Sequence, residues 1–478
     1  MPVALANLIP CKHKEVFIMV VQHNLRAMNS NRMLSITQGT LNKSTEKLSS
    51  GYKVNRAADD AAGLSISEKM RKQIRGLTQA SLNAEDGISA VQTAEGALTE
   101  VHDMLQRMNE LAVKAANGTN STSDRQTIQD EVDQLLTEID RVAETTKFNE
   151  TYLLKGDEDK VTKYLSAHDA GLKGTLTQGA TNATFAMEEL KFGDTIKIAG
   201  REYHISGTAA EQQAIIAGSV KAGQQVTIDG IMYTCTSATV SNADKFELTL
   251  TDLQAKINTS SGGGVSVMIV NGKTYYGSGI TNDKNVTTSA AAYKMIQKEL
   301  GLASSIGADG STPATVGAVT DGTDALAGKK VFTITKGKVE VREAMDFSLH
   351  VGADADMTNK IAVKIDSLDT KGLGIQGLNV KDPNGAAATY AIDAIADAVA
   401  KISAQRSLLG AVQNRLDHTI NNLDNVVENT TAAESQIRDT DMATEMVKYS
   451  NNNVLAQAGQ SMLAQSNQAN QGVLSLLG

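Results

Sequence analysis

The chain contains no tryptophan, only 4 prolines, and aromatic residues make up 4% of it. That scarcity argues against an aromatic-lined ligand pocket and leaves long helices free of breakers. The two cysteines, Cys11 and Cys235, lie far apart in unlike surroundings, so no disulfide framework is implied and stability must come from packing. No apolar run approaches the length of a membrane span, and no membrane insertion is expected. Basic residues are not in excess either. With 45 Lys and Arg against 54 Asp and Glu, a net charge of -9 and no basic stripe, a general grip on nucleic acid is excluded.

A length of 478 residues exceeds what one hydrophobic core supports, so about two to four domains are expected. The first residues do not read as a signal peptide, because the apolar stretch Val3 to Ile9 precedes the charges Lys12, Lys14 and Glu15. Lys14-Glu15-Val16 can be encoded by AAG-GAG-GTN, a purine-rich ribosome-binding sequence, with Met19 at a suitable short distance after it. Residues 1–18 are therefore expected to be a non-native leader, and the intact mass of the exported protein decides between Met1 and Met19.

What the chain does have is helical periodicity at both ends. From Val20 to Ser50, Leu34, Leu41 and Leu48 recur every seven residues among polar uncharged neighbours, the mark of a narrow-faced helix. Gly51 and the segment Tyr52 to Arg56 interrupt it and read as a connection. Beyond it, Ala84, Val91, Leu98, Leu105 and Ala112 hold one heptad position, and Ala94, Val101, Met108 and Ala115 the other. Such a seam means helix-on-helix packing. A cap is expected at Asn117-Gly118 and a restart at the capping box Ser123 to Gln126. The antiparallel helix that follows places Ile128, Val132, Leu135, Ile139 and Val142 on one face. Ile395, Ile402, Leu409, Leu416 and Leu423 repeat the seven-residue spacing far downstream, so the two ends are expected to pack together, with the middle looped out.

Between Asn149 and Asn384 the pattern changes to short alternating runs broken by Gly, Asp, Asn and Ser. Three segments share a plan that predicts hairpins: Thr195 to Ile198 before Gly200 and Tyr203, Val226 to Ile228 before Gly230 and Tyr233, and Val265 to Val270 before Gly272 and Tyr275. Ser260 to Gly264 and Gly307 to Gly322 read as loops or linkers. After Lys448 the chain runs thirty positions to its end without a charge. Val454, Leu455, Ala458, Met462 and Leu463 make this stretch helical, but its amides disfavour a bilayer and its neutrality disfavours a solvated surface. Burial against other helices fits best.

At these residues the chain resembles bacterial flagellin. The N-terminal motifs are Asn24-Leu25 with Ala27-Met28-Asn29, Leu48-Ser49-Ser50-Gly51, Asn55 to Leu64, and Gln106 to Val113; the C-terminal ones are Leu409 to Arg415 and Val473 to Leu477. They span roughly the first 130 and the last 90 residues. The resemblance implies an inner filament core of terminal helices, an outer helical tube and a displayed middle. It further implies self-polymerisation for swimming motility, unfolded export through the flagellar type III apparatus without cleavage, and a chaperone for the C-terminal helix. Filament cap and hook–filament junction proteins are implied partners, as is host Toll-like receptor 5, read through Gln106, Arg107, Glu110, Leu111 and Glu131. One departure is Asn149-Glu150, where many relatives have Asn-Gly. The alternatives are a hook–filament junction protein, or a flagellin with an added adhesive or protease activity in its middle.

The expected fold is thus mainly α at both ends, with long heptad helices forming an antiparallel bundle around an inserted β-rich middle. Residues 19–51 with 434–478 are assigned to the inner core, 52–190 with 385–433 to the outer tube, which includes a β-hairpin, and 191–384 to the exposed region. The residues assigned to core packing and polymerisation are Leu34, Leu41, Leu48, Val91, Leu98, Leu105, Leu409, Leu416, Leu423, Val454, Leu455, Met462, Leu474 and Leu477. No enzyme, cofactor or metal site is expected: the histidines are scattered, no His-Glu-x-x-His pair or phosphate loop occurs, and Asp59-Asp60 and Asp354 with Asp356 lack a calcium loop's spacing. Asn117-Gly118-Thr119 reads as a helix cap rather than a sugar site, and Cys235 is assigned no chemistry.

Overall fold

The computed structural model describes residues 24–236, 246–259, 266–278, 280, 283–323 and 326–477, with side chains described through residue 469 and at 471 and 472. The leader, Met19, Cys11, Ser260 to Gly264 and the Leu474 and Leu477 side chains lie outside the described residues. The helices are α1 (Leu25–Ser50), α2 (Ala61–Ala116), α3 (Thr122–Thr145), α4 (Ala209–Ser219), α5 (Leu250–Thr259), α6 (Ser289–Ser304), α7 (Thr370–Leu373), α8 (Ala386–Arg438) and α9 (Met442–Leu477).

The chain divides into two compact units. One takes in the described residues up to Leu82, Val351–Asn359 and those from Thr419; the other is Asn83–His350 with Lys360–His418.

In the first unit α1 lies along α9. The Asn24 side chain accepts from the Ala27 amide at 2.9 Å to start α1, and Gly51, at φ 76°, ends it by donating to Lys47 O. That left-handed cap is where a glycine is needed.

The second unit holds the heptad core. Ala84, Val91, Leu98, Leu105 and Ala112 are all 0% exposed, as are Ala94, Val101, Met108 and Ala115. Ile395, Ile402 and Leu409 of α8 share this cluster. Leu416 and Leu423 continue the α8 stripe as buried residues. Two local expectations are corrected. The capping box is formed two residues earlier, by Ser121 and Asp124, because the shorter Asp side chain reaches back to the Ser121 amide at 3.0 Å. The fully buried face of α3 is Ile128, Val132, Leu136, Ile139 and Ala143, with Leu135 and Val142 only at its flank. The stripe advances by four between Val132 and Leu136, as the 3.6-residue turn requires.

Polar side chains of α3 pin the segment that returns to α8. Buried Arg125 donates to Ala115 O, Asn117 O and Pro383 O at 2.9, 3.1 and 3.0 Å, closing the end of α2 and holding the approach to α8. Gln129 replaces a strand partner, accepting from the Val380 amide at 2.7 Å and donating to Leu378 O at 2.9 Å. Asp140 accepts from the amide and hydroxyl of Thr370. Val363, Ile365, Leu368, Leu373, Ile375, Leu378 and Val380 therefore belong to the helical core, although the sequence places them in the 191–384 region. The strand Lys360–Ile365 alternates as expected of an exposed sheet, but its apolar face joins the helical core cluster.

The middle is β-rich. The three hairpins form, with two-residue turns at Ala199-Gly200, Asp229-Gly230 and Asn271-Gly272, every turn residue having positive φ. Each hairpin is followed in the chain by a helix that the alternating pattern does not anticipate, namely α4, α5 and α6. Thr208 caps α4 in a box with Glu211, and Thr288 caps α6. Gly307 to Gly322 is not all linker, since Thr315–Val316 and Thr320–Asp321 pair with the strand Lys329–Thr335. One core of the middle, from Ile216 to Tyr275, is drawn from a single continuous stretch of chain. Its two ends meet where Gly207 donates its amide to Tyr276 O and accepts at its own carbonyl from the Ser278 amide, at 3.0 Å each. A side chain on Gly207 has no room, because a Cβ there would lie 2.4 Å from the Phe192 ring.

Candidate assembly and receptor surfaces

The arms α1 and α9 are thin amphipathic helices, each offering one apolar stripe to the other. Leu34, Leu41 and Leu48 are half-buried in this contact, and a Cβ added at Gly459 of α9 would lie 3.3 Å from Leu34 Cδ1. Between them Ser44 donates to Glu445 Oε1 at 2.6 Å, both side chains being buried. That hydrogen bond, reinforced by Lys448, holds the Glu445 carboxyl below the usual range.

One partner helix covers only part of each arm. Leu25, Met28, Met33 and Ile36 of α1 stay exposed, and so do Val454, Leu455 and Met462 of α9, between 54% and 66%. The last three are thus not core residues of the single chain; the buried position on that stretch of α9 is Ala456. Periodicity alone does not tell which side of a thin helix one neighbour covers.

The second surface is on α2 and α3. Arg107 donates to Glu131 Oε1 through Nε and Nη2, and to Glu110 Oε2 at 3.1 Å. Glu131, then Glu110, keep the guanidinium protonated beyond its usual range. Gln106 is exposed and shares a hydrogen bond with His102 at 2.8 Å. Leu111 is corrected: it is 2% exposed and sits in the heptad core with Met108 and Ile128, because α3 covers the side of α2 that a two-position seam leaves open. The exposed apolar residue nearby in sequence is Val113.

The acidic pairs have local partners. Asp59 accepts from the amides of Asn55 and Arg56, which lowers its pKa, and Asp60 accepts from the Gly63 amide. Asp356 accepts from the Thr358 amide. Cys235 is buried, which pushes its thiol up. Among the described residues no group of three His, Cys, Asp or Glu side chains is placed to hold a metal ion, and no helix is long and apolar enough to cross a membrane. Hydrophobic periodicity also missed the buried polar pair Ser44 and Glu445, because buried polar groups leave no periodic signal.

Two end helices paired with apolar flanks uncovered, a continuous heptad bundle and an inserted β-rich middle define a self-assembling structural subunit. The model of the bacterial flagellin N-terminal helical region matches residues 21–159, and that of the C-terminal helical region matches 392–477. A flagellin of Clostridium tyrobutyricum is 38% identical over 462 residues, covering 95% of this chain and 100% of the relative. A Salmonella typhimurium flagellin is 34% identical over 508 residues, covering 95% and 99%. A Bacillus subtilis flagellin is 34% identical over 462 residues, covering 96% and 100%. The chain belongs to the bacterial flagellin family, the structural subunits of the flagellar filament.

Proposed function

We propose that this chain is exported unfolded by the flagellar type III apparatus, without cleavage, and polymerises with copies of itself outside the cell into the filament used for swimming. Residues 19–51 and 434–478 then form the inner core, 52–190 and 385–433 the outer tube, and 191–384, apart from the segment 363–380 packed into the helical core, the outer surface. A chaperone holds the C-terminal helix before assembly, and the cap and hook–filament junction proteins contact the filament at its ends. The observation that carries the reading is the row of exposed apolar side chains on α1 and α9, which only neighbouring subunits would cover. The charge-free stretch after Lys448 supports a channel wall that does not trap passing charged chains. Electron microscopy after in vitro polymerisation tests this. Full-length chains are expected to form filaments, whereas removal of Asn451 to Gly478 abolishes them and leaves the heptad bundle helical. Filaments from the truncated protein overturn the reading.

The charged face of Gln106, Arg107, Glu110 and Glu131 is the proposed Toll-like receptor 5 surface of the free chain. Arg107 supplies donors and two flanking carboxylates supply acceptors, a combination suited to an interface centre. Monomer is expected to bind and intact filament not to bind; equal binding by filaments rejects the proposal.

A further inference from the structure

The three hairpins of the middle each carry a slot, formed by the outer edge of the second strand and the apolar face of the hairpin. Five residues after the turn glycines Gly200, Gly230 and Gly272 stand Ile205, Cys235 and Gly277, and each pairs in parallel with a residue that directly precedes a helix-capping threonine. Leu248 pairs with Cys235 ahead of Thr249, Thr287 with Ile205 ahead of Thr288, and Gly207 with Gly277 ahead of Thr208. The threonine hydroxyls accept from the amides of Asp252, Ala291 and Glu211 at 3.2, 3.3 and 3.4 Å. Eight residues beyond the caps, Ile257, Ile296 and Ile216 are each 0% exposed. The second hairpin keeps the helix that follows it, α5. The first takes Val286–Thr288 and α6, from beyond the third, and Ile296 packs there with Ile198 and Ile205. The third takes Gly207 and α4, from directly after the first, and Ile216 joins the core that holds Met268 and Val270. The exchange has a steric cause. A parallel partner in the same sheet needs a crossover of about a dozen residues. Residues 236–246 supply one to the second hairpin, whereas only Gly207 separates Ser206 from the Thr208 cap.

We propose that the slot on the first hairpin is an exchange site, which residues Val286–Ser304 of a second copy of this chain fill in place of its own. Twice within the chain a slot holds a helix that belongs to another hairpin, so a slot selects a short strand, a threonine cap and a buried isoleucine rather than the adjoining stretch of chain. A second copy presents the identical segment. Its recognition is largely through the backbone: the His204 amide donates to Asn285 O at 2.8 Å, Thr287 lies in register with Ile205, and Ile296 is the apolar anchor. In a dilute solution the covalent link holds the chain's own segment at an effective concentration of about a millimolar, and it fills the slot. Copies packed side by side in a filament bring the competing segment to a comparable concentration, and exchanging identical elements costs little. The crowding rests on the filament reading; the slot does not.

A synthetic peptide of residues Asn285–Ser304, offered to the full-length chain, tests this without requiring filaments. The native chain, its slot filled, is expected not to bind it. Ile296→Asp puts a charge at a fully buried position and disables the chain's own segment. That variant is expected to lose hydrogen-exchange protection at the His204 amide, to bind the peptide, and to regain the protection on binding. The peptide carrying Ile296→Asp itself is expected not to bind. Ile296→Ala, which loosens the segment without a charge, covers the case in which the Asp variant loses the first hairpin altogether, and is expected to bind the native peptide too. No binding by either variant, or binding that ignores the peptide's Ile296, overturns the proposal. For whole copies, Ile296→Asp chains are mixed with Ile205→Asp chains, whose slot is spoiled and whose segment is intact. A mixed dimer is expected in analytical ultracentrifugation, each variant alone being monomeric; a mixture that stays monomeric overturns exchange between copies.

Discussion

Nε and Nη2 of Arg107 converge on one oxygen of Glu131, at 3.0 and 2.8 Å. The ion pair is solvent-facing, whereas Leu111, four residues on, is in the core. Arg107→Ala is therefore expected to leave the melting temperature essentially unchanged and to weaken receptor binding, since exposed pairs contribute little to stability. Leu111→Ala has the opposite profile, costing roughly 2–5 kcal/mol by denaturant unfolding. A stable Leu111→Ala variant would place that side chain outside the core.

The heptad seam makes an independent prediction. Leu105 is 0% exposed and Leu409 1%, so truncating either to Ala is expected to cost roughly 2–5 kcal/mol, through lost burial and the cavity left behind. A loss below about 1 kcal/mol in chemical denaturation would contradict full burial.

Acid is expected to loosen the pairing of α1 with α9. Glu445 has its pKa lowered from the ordinary 4.5, first by the Ser44 hydroxyl and then by Lys448. A folded-state pKa below the unfolded one adds stability above the unfolded value, and that stability is lost as pH falls through the folded one. Helicity in an acid titration is expected to decline less steeply below pH 4.5 in Glu445→Gln than in the native chain. Asp59 and Asp441, also lowered, preserve part of the slope in the variant. Identical titration curves would remove Glu445 from the arm contact.

Asn149 and Glu150 both carry positive φ, 44° and 72°, in the turn joining Lys147–Phe148 to Thr151–Tyr152. Glu150 pays a steric penalty that glycine avoids. Glu150→Gly is expected to stabilise the protein by about 1 kcal/mol; a lower melting temperature would show that the Glu side chain contributes more than its backbone strain costs.

The end helices were legible because their seams repeat every seven residues: Val91 to Ala112 and Ile395 to Leu409 are buried as the spacing demands. The hairpins were legible from turn chemistry at Asp229-Gly230 and Asn271-Gly272. The helices α4 to α6 were not, although Thr208 with Glu211 is a capping box, because Gly and Ser around them blurred helical and strand periods. Nor did spacing reveal that Leu111 is buried and Val454 exposed. Both depend on which neighbour covers a helix, and that information is tertiary.

The bonds among Gly207, Tyr276 and Ser278 make the intervening stretch a cassette in a socket. Its core is its own apart from flanking contacts such as Phe192, and the rest of the chain meets it mainly as two ends already held together. Lengthening, shortening or exchanging the cassette adds little loop-closure entropy to the host. A foreign domain with closely spaced termini is therefore expected to be tolerated there without redesigning the helices.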